Sequence, residues 1–183
     1  MNELSFKHTY ELYVTKHSLL SPEFKLFVLF HDQDLRSYCL VKKPDDNLTR
    51  GCRNFNPFNI RKSGSQWLGK LKDSSDGAFE QFEGLDYGVR AGIVLFRNYY
   101  RKYHLMKVRE LISRFAPSCE NDVDSYVNFV SDYLSLFGLN PKSFNLMPGN
   151  GMFRFFQAVL LYESRLFVPV AYLKHVWQYF EIR

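Results

Sequence analysis

Two features of this 183-residue chain could do chemistry: an acid that ends an apolar helical stripe, and a run rich in asparagine. Glu163 follows Phe156 and Leu160 at i+7 and i+3, which puts all three on one helical face. Apolar surroundings disfavour a carboxylate, so such a carboxyl stays protonated towards neutral pH and suits a general acid. The same residue can equally end a helix at the surface, paired with Arg154 or Arg165. The second feature is Arg50-Gly51-Cys52-Arg53-Asn54-Phe55-Asn56-Pro57-Phe58-Asn59-Ile60-Arg61. Asn54, Asn56 and Asn59 carry amides that compete for the backbone, which makes poor helix and poor strand. The segment reads as a rigid, arginine-edged loop. Its amides, each donor and acceptor at once, either meet a polar ligand or cap the loop itself.

Glu120, Asp122 and Asp124 crowd one helix start, where acids gain roughly 0.3–1 kcal/mol each from the helix dipole. They are also the candidates for a second carboxylate. Tyr126 is either a hydrogen-bonding site residue or a core aromatic, and Trp67 either a stacking platform or a hairpin anchor. The five histidines (His8, His17, His31, His104 and His175) have no metal-ligand spacing, and no cofactor is expected. Cys39, Cys52 and Cys119 are odd in number, which excludes a complete disulfide framework and points to reduced thiols. Cys52 has no base adjacent in sequence to make it a nucleophile.

Length predicts one domain with room for a small appendage. Aromatic residues make up 17% of the chain, with 18 Phe and 12 Tyr, so the core should be built largely from rings. A net charge of +5 and a pI near 9.0 favour an anionic partner, although the basic residues read as spread along the chain. The N-terminus lacks the charged and apolar regions of a signal peptide. No apolar run approaches the ~20 residues of a membrane span. A protein made in the cytoplasm this way would need another route to act outside it.

The elements that must position these residues are mostly helices. Residues 1–45 form an N-terminal helical extension or docking region, with a helix started by Ser21-Pro22-Glu23 and running through Phe24, Phe27, Val28 and Leu35. Residues 46–183 form the main domain. Gln66–Leu71 and Ala78–Phe82 read as a hairpin turned by Asp73-Ser74-Ser75-Asp76-Gly77. Helices follow from about Asp86 to Tyr103, Lys107 to Phe115, Tyr126 towards Gly138, Phe153 to about Ser164, and through Tyr172, Val176 and Phe180. The expected class is mainly α (α+β), with one small β-hairpin.

The Arg50–Arg61 run resembles the Arg-Gly-x-Arg-Asn-x-Asn-Pro-x-Asn-Ile-Arg motif of a domain found in many phage and prophage proteins. Trp67-Leu68-Gly69, the aromatics Phe79 and Phe82, and Ala116-Pro117-Ser118-Cys119-Glu120-Asn121-Asp122 with Tyr126 extend the resemblance to about residues 50–165. The order of elements also resembles the glucosaminidase branch of the lysozyme superfamily. There the catalytic glutamate precedes the asparagine segment; here the similar stretch is Gln157-Ala158-Val159-Leu160-Leu161-Tyr162-Glu163-Ser164, near the other end.

The resemblance implies a circularly permuted, lysozyme-like fold. It implies Glu163 as catalytic acid, with Glu120 and Tyr126 assisting, and Asn54, Asn56, Asn59, Arg61 and Trp67 along a saccharide groove. The implied activity is hydrolysis or transglycosylation of peptidoglycan glycan strands by a phage lysin or an injected antibacterial effector. Such a protein acts in the periplasm or cell wall after release, or in a phage particle, and an effector needs a cognate immunity or inhibitor protein. Tyr162 stands where the phage-type domain has His, and Ser164-Arg165 where it has Asn-Gly. Those departures favour an alternative, a non-catalytic phage structural domain that keeps a saccharide-binding surface. A third reading, nucleic-acid binding through Arg50, Arg53, Arg61 and Lys62, is the weakest, because acids interleave with these bases.

Overall fold

The computed structural model describes residues 9–13, 19–33, 38–42, 49–118 and 122–182. The fold is mainly helical, as the periodicity predicts. In chain order come β1 (Thr9–Tyr13), α1 (Pro22–His31), β2 (Tyr38–Lys42), α2 (Arg50–Arg53) and α3 (Leu85–Tyr103). Then follow α4 (Val108–Phe115), α5 (Val123–Leu136), α6 (Asn150–Ser164), β3 (Leu166–Phe167) and α7 (Val170–Tyr179).

Helix α6 is the centre. Its residues from Phe155 to Leu161 are all buried, and α5, α7, α2 and β3 pack around it. A helix that is apolar on every side can only be stable when other elements surround it. The core is a stack of rings, as the composition predicts. Phe96 of α3 lies 4.9 Å from Phe115, 5.2 Å from Phe155 and 5.9 Å from Phe156, centre to centre. Phe58 reaches Phe156 edge-on from the asparagine run at 6.2 Å. Each ring buried in this way contributes roughly 1.5–3 kcal/mol.

Two features of the N-terminal region differ from expectation. The pattern of residues 1–45 gave no strand, yet β1 pairs in parallel with β2, from Thr9↔Tyr38 to Tyr13↔Lys42. Strand β2 in turn pairs antiparallel with β3, Leu40 opposite Leu166. Parallel neighbours need a crossover, and α1 supplies it. The region is also no separate extension. Phe24 and Val28 of α1 belong to the same core as α3 to α7, so no boundary at residue 45 divides two cores. Ser21 caps α1 as predicted, its Oγ accepting the Phe24 N–H at 3.1 Å. The helix ends at His31, and Leu35 lies outside the described residues.

A buried polar network locks this region to the C-terminal helices. Asp32, 4% exposed, pairs with Arg154 and accepts the Gln157 amide N–H at 2.9 Å. Its Oδ1 also accepts the Val170 N–H at 3.0 Å, and its carbonyl accepts the Ala171 N–H at 3.0 Å. Asp32 therefore satisfies the open N-terminus of α7, which has no side-chain cap of its own. Arg154 does not meet Glu163; its guanidinium lies 3.9 Å from the Phe137 ring centre and donates to Gln157 Oε1 at 2.7 Å.

Of the expected hairpin one antiparallel bridge remains, Lys70↔Phe82, while Phe79 pairs instead with Arg61 at the end of the asparagine run. Polar side chains replace a regular ladder there. Asp76 Oδ1 accepts from the N–H groups of Ala78 and Phe79, at 2.9 and 3.0 Å, and closes a tight turn. These bonds, with the Asn54 amide and Arg50, hold the Asp76 carboxyl down at about 2.

Candidate active site

The asparagine run folds as a clasp around the end of α6. Thr49 caps the short helix α2, its Oγ1 accepting the Cys52 N–H at 3.4 Å. The chain then turns through two left-handed residues, Phe55 (φ 47°) and Asn59 (φ 49°). An asparagine tolerates that conformation better than most residues. The last carbonyls of a helix have no partner inside it, and here the clasp provides one. The Ser164 carbonyl accepts from Thr49 Oγ1 at 3.1 Å and lies 3.6 Å from the Cys52 thiol. Ser164 Oγ donates to the Pro57 carbonyl at 2.7 Å. The Asn59 amide donates to the Glu163 carbonyl at 3.2 Å and to its side-chain Oε2 at 2.9 Å.

The packing is close enough to require glycine. A β-carbon on Gly51 would lie 2.0 Å from Ser164 Oγ and 2.9 Å from Asn59 Oδ1. One on Gly88 of α3 would lie 1.8 Å from the Phe55 carbonyl oxygen. Helix α3 thus presses the clasp from outside while α6 enters it from within.

Glu163 is partly buried at the end of the apolar stripe formed by Phe156 and Leu160. Burial raises its carboxyl above the ordinary value, and the hydrogen bond from Asn59 and the nearby Tyr126 phenol pull it part of the way back. The negative end of the α6 dipole acts in the same direction as burial. Among the described residues no cation pairs with Glu163, so the surface ion pair with Arg154 or Arg165 does not form.

Tyr126 of α5 is fully buried, with its ring stacked on Tyr162 at 3.7 Å and 15°. Its hydroxyl is in electrostatic contact with the Glu163 carboxyl but stops short of a direct hydrogen bond to any described group. Burial, then Glu163, holds the phenol well above its usual value, so it keeps its proton. Glu163, Asn59 and Tyr126 therefore converge from α6, the clasp and α5.

Other expected site residues do different work. The Asn54 amide donates to Asp76 Oδ2 at 2.8 Å and accepts from Gln81 at 3.0 Å. The Asn56 amide donates to the carbonyls of Ile60 and Glu80, and its oxygen accepts the Ile60 N–H, all at 2.9 Å. Both side chains are buried and bonded within the loop, although Asn54 also lines the open cleft beside it. Trp67 is half-buried against the core with its Nε1 enclosed, so its ring anchors rather than presents a platform. Arg61 is exposed, its guanidinium 5.2 Å from the Phe79 ring centre.

Glu120 lies outside the described residues. Asp122 caps α5 through the Ser125 N–H at 3.0 Å, and Asp124 pairs with Arg109 at 2.8 Å on the surface. An open cleft of about 390 Å³ lies beside the clasp rather than at Glu163. Arg50, Arg53, Asn54, Asp76 and Gln81 are among the residues that line it. Tyr162 and Ser164 were not anticipated as site residues. Their places beside Glu163 were the only signal, since a stacking partner and a clasp ligand leave no pattern in sequence.

No helix among the described residues is long and apolar enough to cross a membrane. No family model matches the chain. A relative among curated proteins, Protein P5 of Pseudoalteromonas phage PM2, is 42% identical over 86 residues, which is 45% of this chain and 54% of that protein. The chain thus spans about half the length of the phage protein it matches, and over that half it is similar to Protein P5.

Proposed function

We propose that this chain is a glycan-strand hydrolase of the muramidase or glucosaminidase kind, acting on peptidoglycan with Glu163 as general acid. The observation that carries this reading is the Glu163 carboxyl itself. It is partly buried, raised above its ordinary value, free of a cationic partner among the described residues, and gripped by Asn59 at one oxygen only. With Oε2 accepting from Asn59, Oε1 is the oxygen left to carry the proton when Glu163 is in its acid form. From there it passes to the glycosidic oxygen as the bond to the sugar carbon breaks. Asp122 and Asp124 are engaged elsewhere, which leaves either Glu120 as second carboxylate or a single-acid route in which the substrate N-acetyl group or a water completes the displacement. The likeness to a phage protein supports a phage setting, as lysin or as virion component, and an envelope-directed effector would bring a cognate inhibitor.

A second reading is a saccharide-binding domain without chemistry. It is favoured by the open cleft lying at Arg50 and Asp76 rather than over Glu163, and by Tyr162 stacked on Tyr126. Incubation with purified sacculi separates the two. The hydrolase releases soluble muropeptides whose new ends, read by mass spectrometry, name the bond. The binding domain sediments with the sacculi and releases none.

A further inference from the structure

Helix α3 carries an uncompensated row of arginines away from the candidate site. Arg90, Arg97 and Arg101 fall within about 40° of one another around the axis and span roughly 16 Å along it. The helix has one acid, Asp86, in its first turn. Among the described residues none of the three arginines has a carboxylate within ion-pair distance. Arg97 feels the repulsion of both Arg90 and Arg101. The Nε atoms of Arg90 and Arg97 are enclosed without a hydrogen-bond partner, so their stems are laid against the protein. The helix dipole explains Arg101 in the last turn, but it gives nothing to Arg97 at mid-helix or to Arg90 in the N-terminal third.

Aromatic rings flank the row. The Arg90 guanidinium lies 5.5 Å from the Phe180 ring centre, and Phe180 packs against Tyr87 at 5.6 Å and edge-on against Tyr179 at 4.9 Å. Tyr179 is 64% exposed. No aliphatic side chain of α3 is fully exposed, so the helix offers a bilayer little beyond charge and the ring of Tyr103. A cationic track with an exposed ring beside it matches the needs of a strand whose phosphates want charge and whose bases want a stacking surface.

We propose that the α3 face bearing Arg90, Arg97 and Arg101, with Tyr179 beside it, binds single-stranded nucleic acid. Three guanidinium groups spread over ~16 Å give a footprint of a few phosphates of one strand. This site is independent of the hydrolase reading and of Glu163.

The test is fluorescence anisotropy of a labelled twenty-nucleotide oligo-dT against the whole chain across a salt series. Three arginine–phosphate contacts predict a log–log salt slope of about −2. Arg97→Glu with Arg101→Glu should weaken binding at least tenfold at low salt and flatten the slope. Arg97→Gln with Arg101→Gln repeats the measurement should the charge reversal disturb folding, as checked by thermal unfolding. Tyr179→Ala should weaken binding about fivefold or more. Absence of binding overturns the proposal, as does binding that the arginine variants leave unchanged. So does displacement of the oligonucleotide by polyphosphate at equal charge, which would mean the bases play no part. Preference for phosphatidylglycerol vesicles over the oligonucleotide would reassign the face to a membrane.

Discussion

The side-chain amide of Asn59 holds Glu163 twice, at its main-chain carbonyl and at its carboxyl Oε2. One residue thus fixes both where the helix ends and how its terminal acid is turned. Replacing it tests the arrangement. Asn59→Gly keeps the left-handed backbone but removes the amide. Since that amide lowers the carboxyl, its loss should move the alkaline limb of the pH–rate profile upward. The freed acid should also cost on the order of 10–100-fold in rate. An unchanged profile would mean that Asn59 does not set the acid.

The raised carboxyl of Glu163 makes a stability prediction that does not depend on substrate. A group whose native value lies above its unfolded one gives stability that is full below the unfolded value, here about 4.5, and lost as pH rises through the native value. Glu163→Gln removes that loss. The variant should melt above the wild type at pH 8, and the difference should close by pH 4. Parallel melting curves across this range would contradict the burial of the acid.

Gly51 is the point where the clasp meets the end of α6 most closely. Gly51→Ala forces its β-carbon against Ser164 Oγ, which is buried and committed to the Pro57 carbonyl. Displacement of the α6 end should cost ~1–3 kcal/mol. For a chain of this size that lowers the melting temperature by about 2–4 °C per kcal/mol. Activity should fall further than stability alone explains, because Glu163 moves with Ser164. A wild-type melting temperature would show that the clasp is looser than described.

Asp32→Ala leaves Arg154 buried without its charge partner and opens the N-terminus of α7. Breaking a buried pair by removing one member typically costs ~3–5 kcal/mol. Urea unfolding should register a loss of that order, with the sheet and α7 affected together. A change within ~0.5 kcal/mol would mean that the network contributes little.

How much of this could be read beforehand follows from what leaves a local mark. Ser21 before Pro22, Pro117 after Phe115 and the step of Val89, Ile93 and Phe96 are local signals, and the helices lie where those signals put them. The bond between Glu163 and Asn59 leaves no local mark, since the two stand 104 residues apart in sequence. Asn54 and Asn56 could not be told from Asn59 by type. Which amide is spent on the loop depends on Asp76, Gln81 and Glu80, brought in from the following segment. The Asp32 network and the α3 arginine row were likewise invisible. The first joins residues 125 apart, and the second needs knowledge of which carboxylates fail to arrive.

The most direct test of the central claim is digestion of purified peptidoglycan by the wild-type chain and by Glu163→Gln, with the soluble products followed by mass spectrometry. The wild type should release muropeptides with newly cut glycan ends, and the variant none, or at least a hundredfold fewer. Equal release by both would contradict Glu163 as the acid. Retained wall binding with no release by either would make the chain a binding domain.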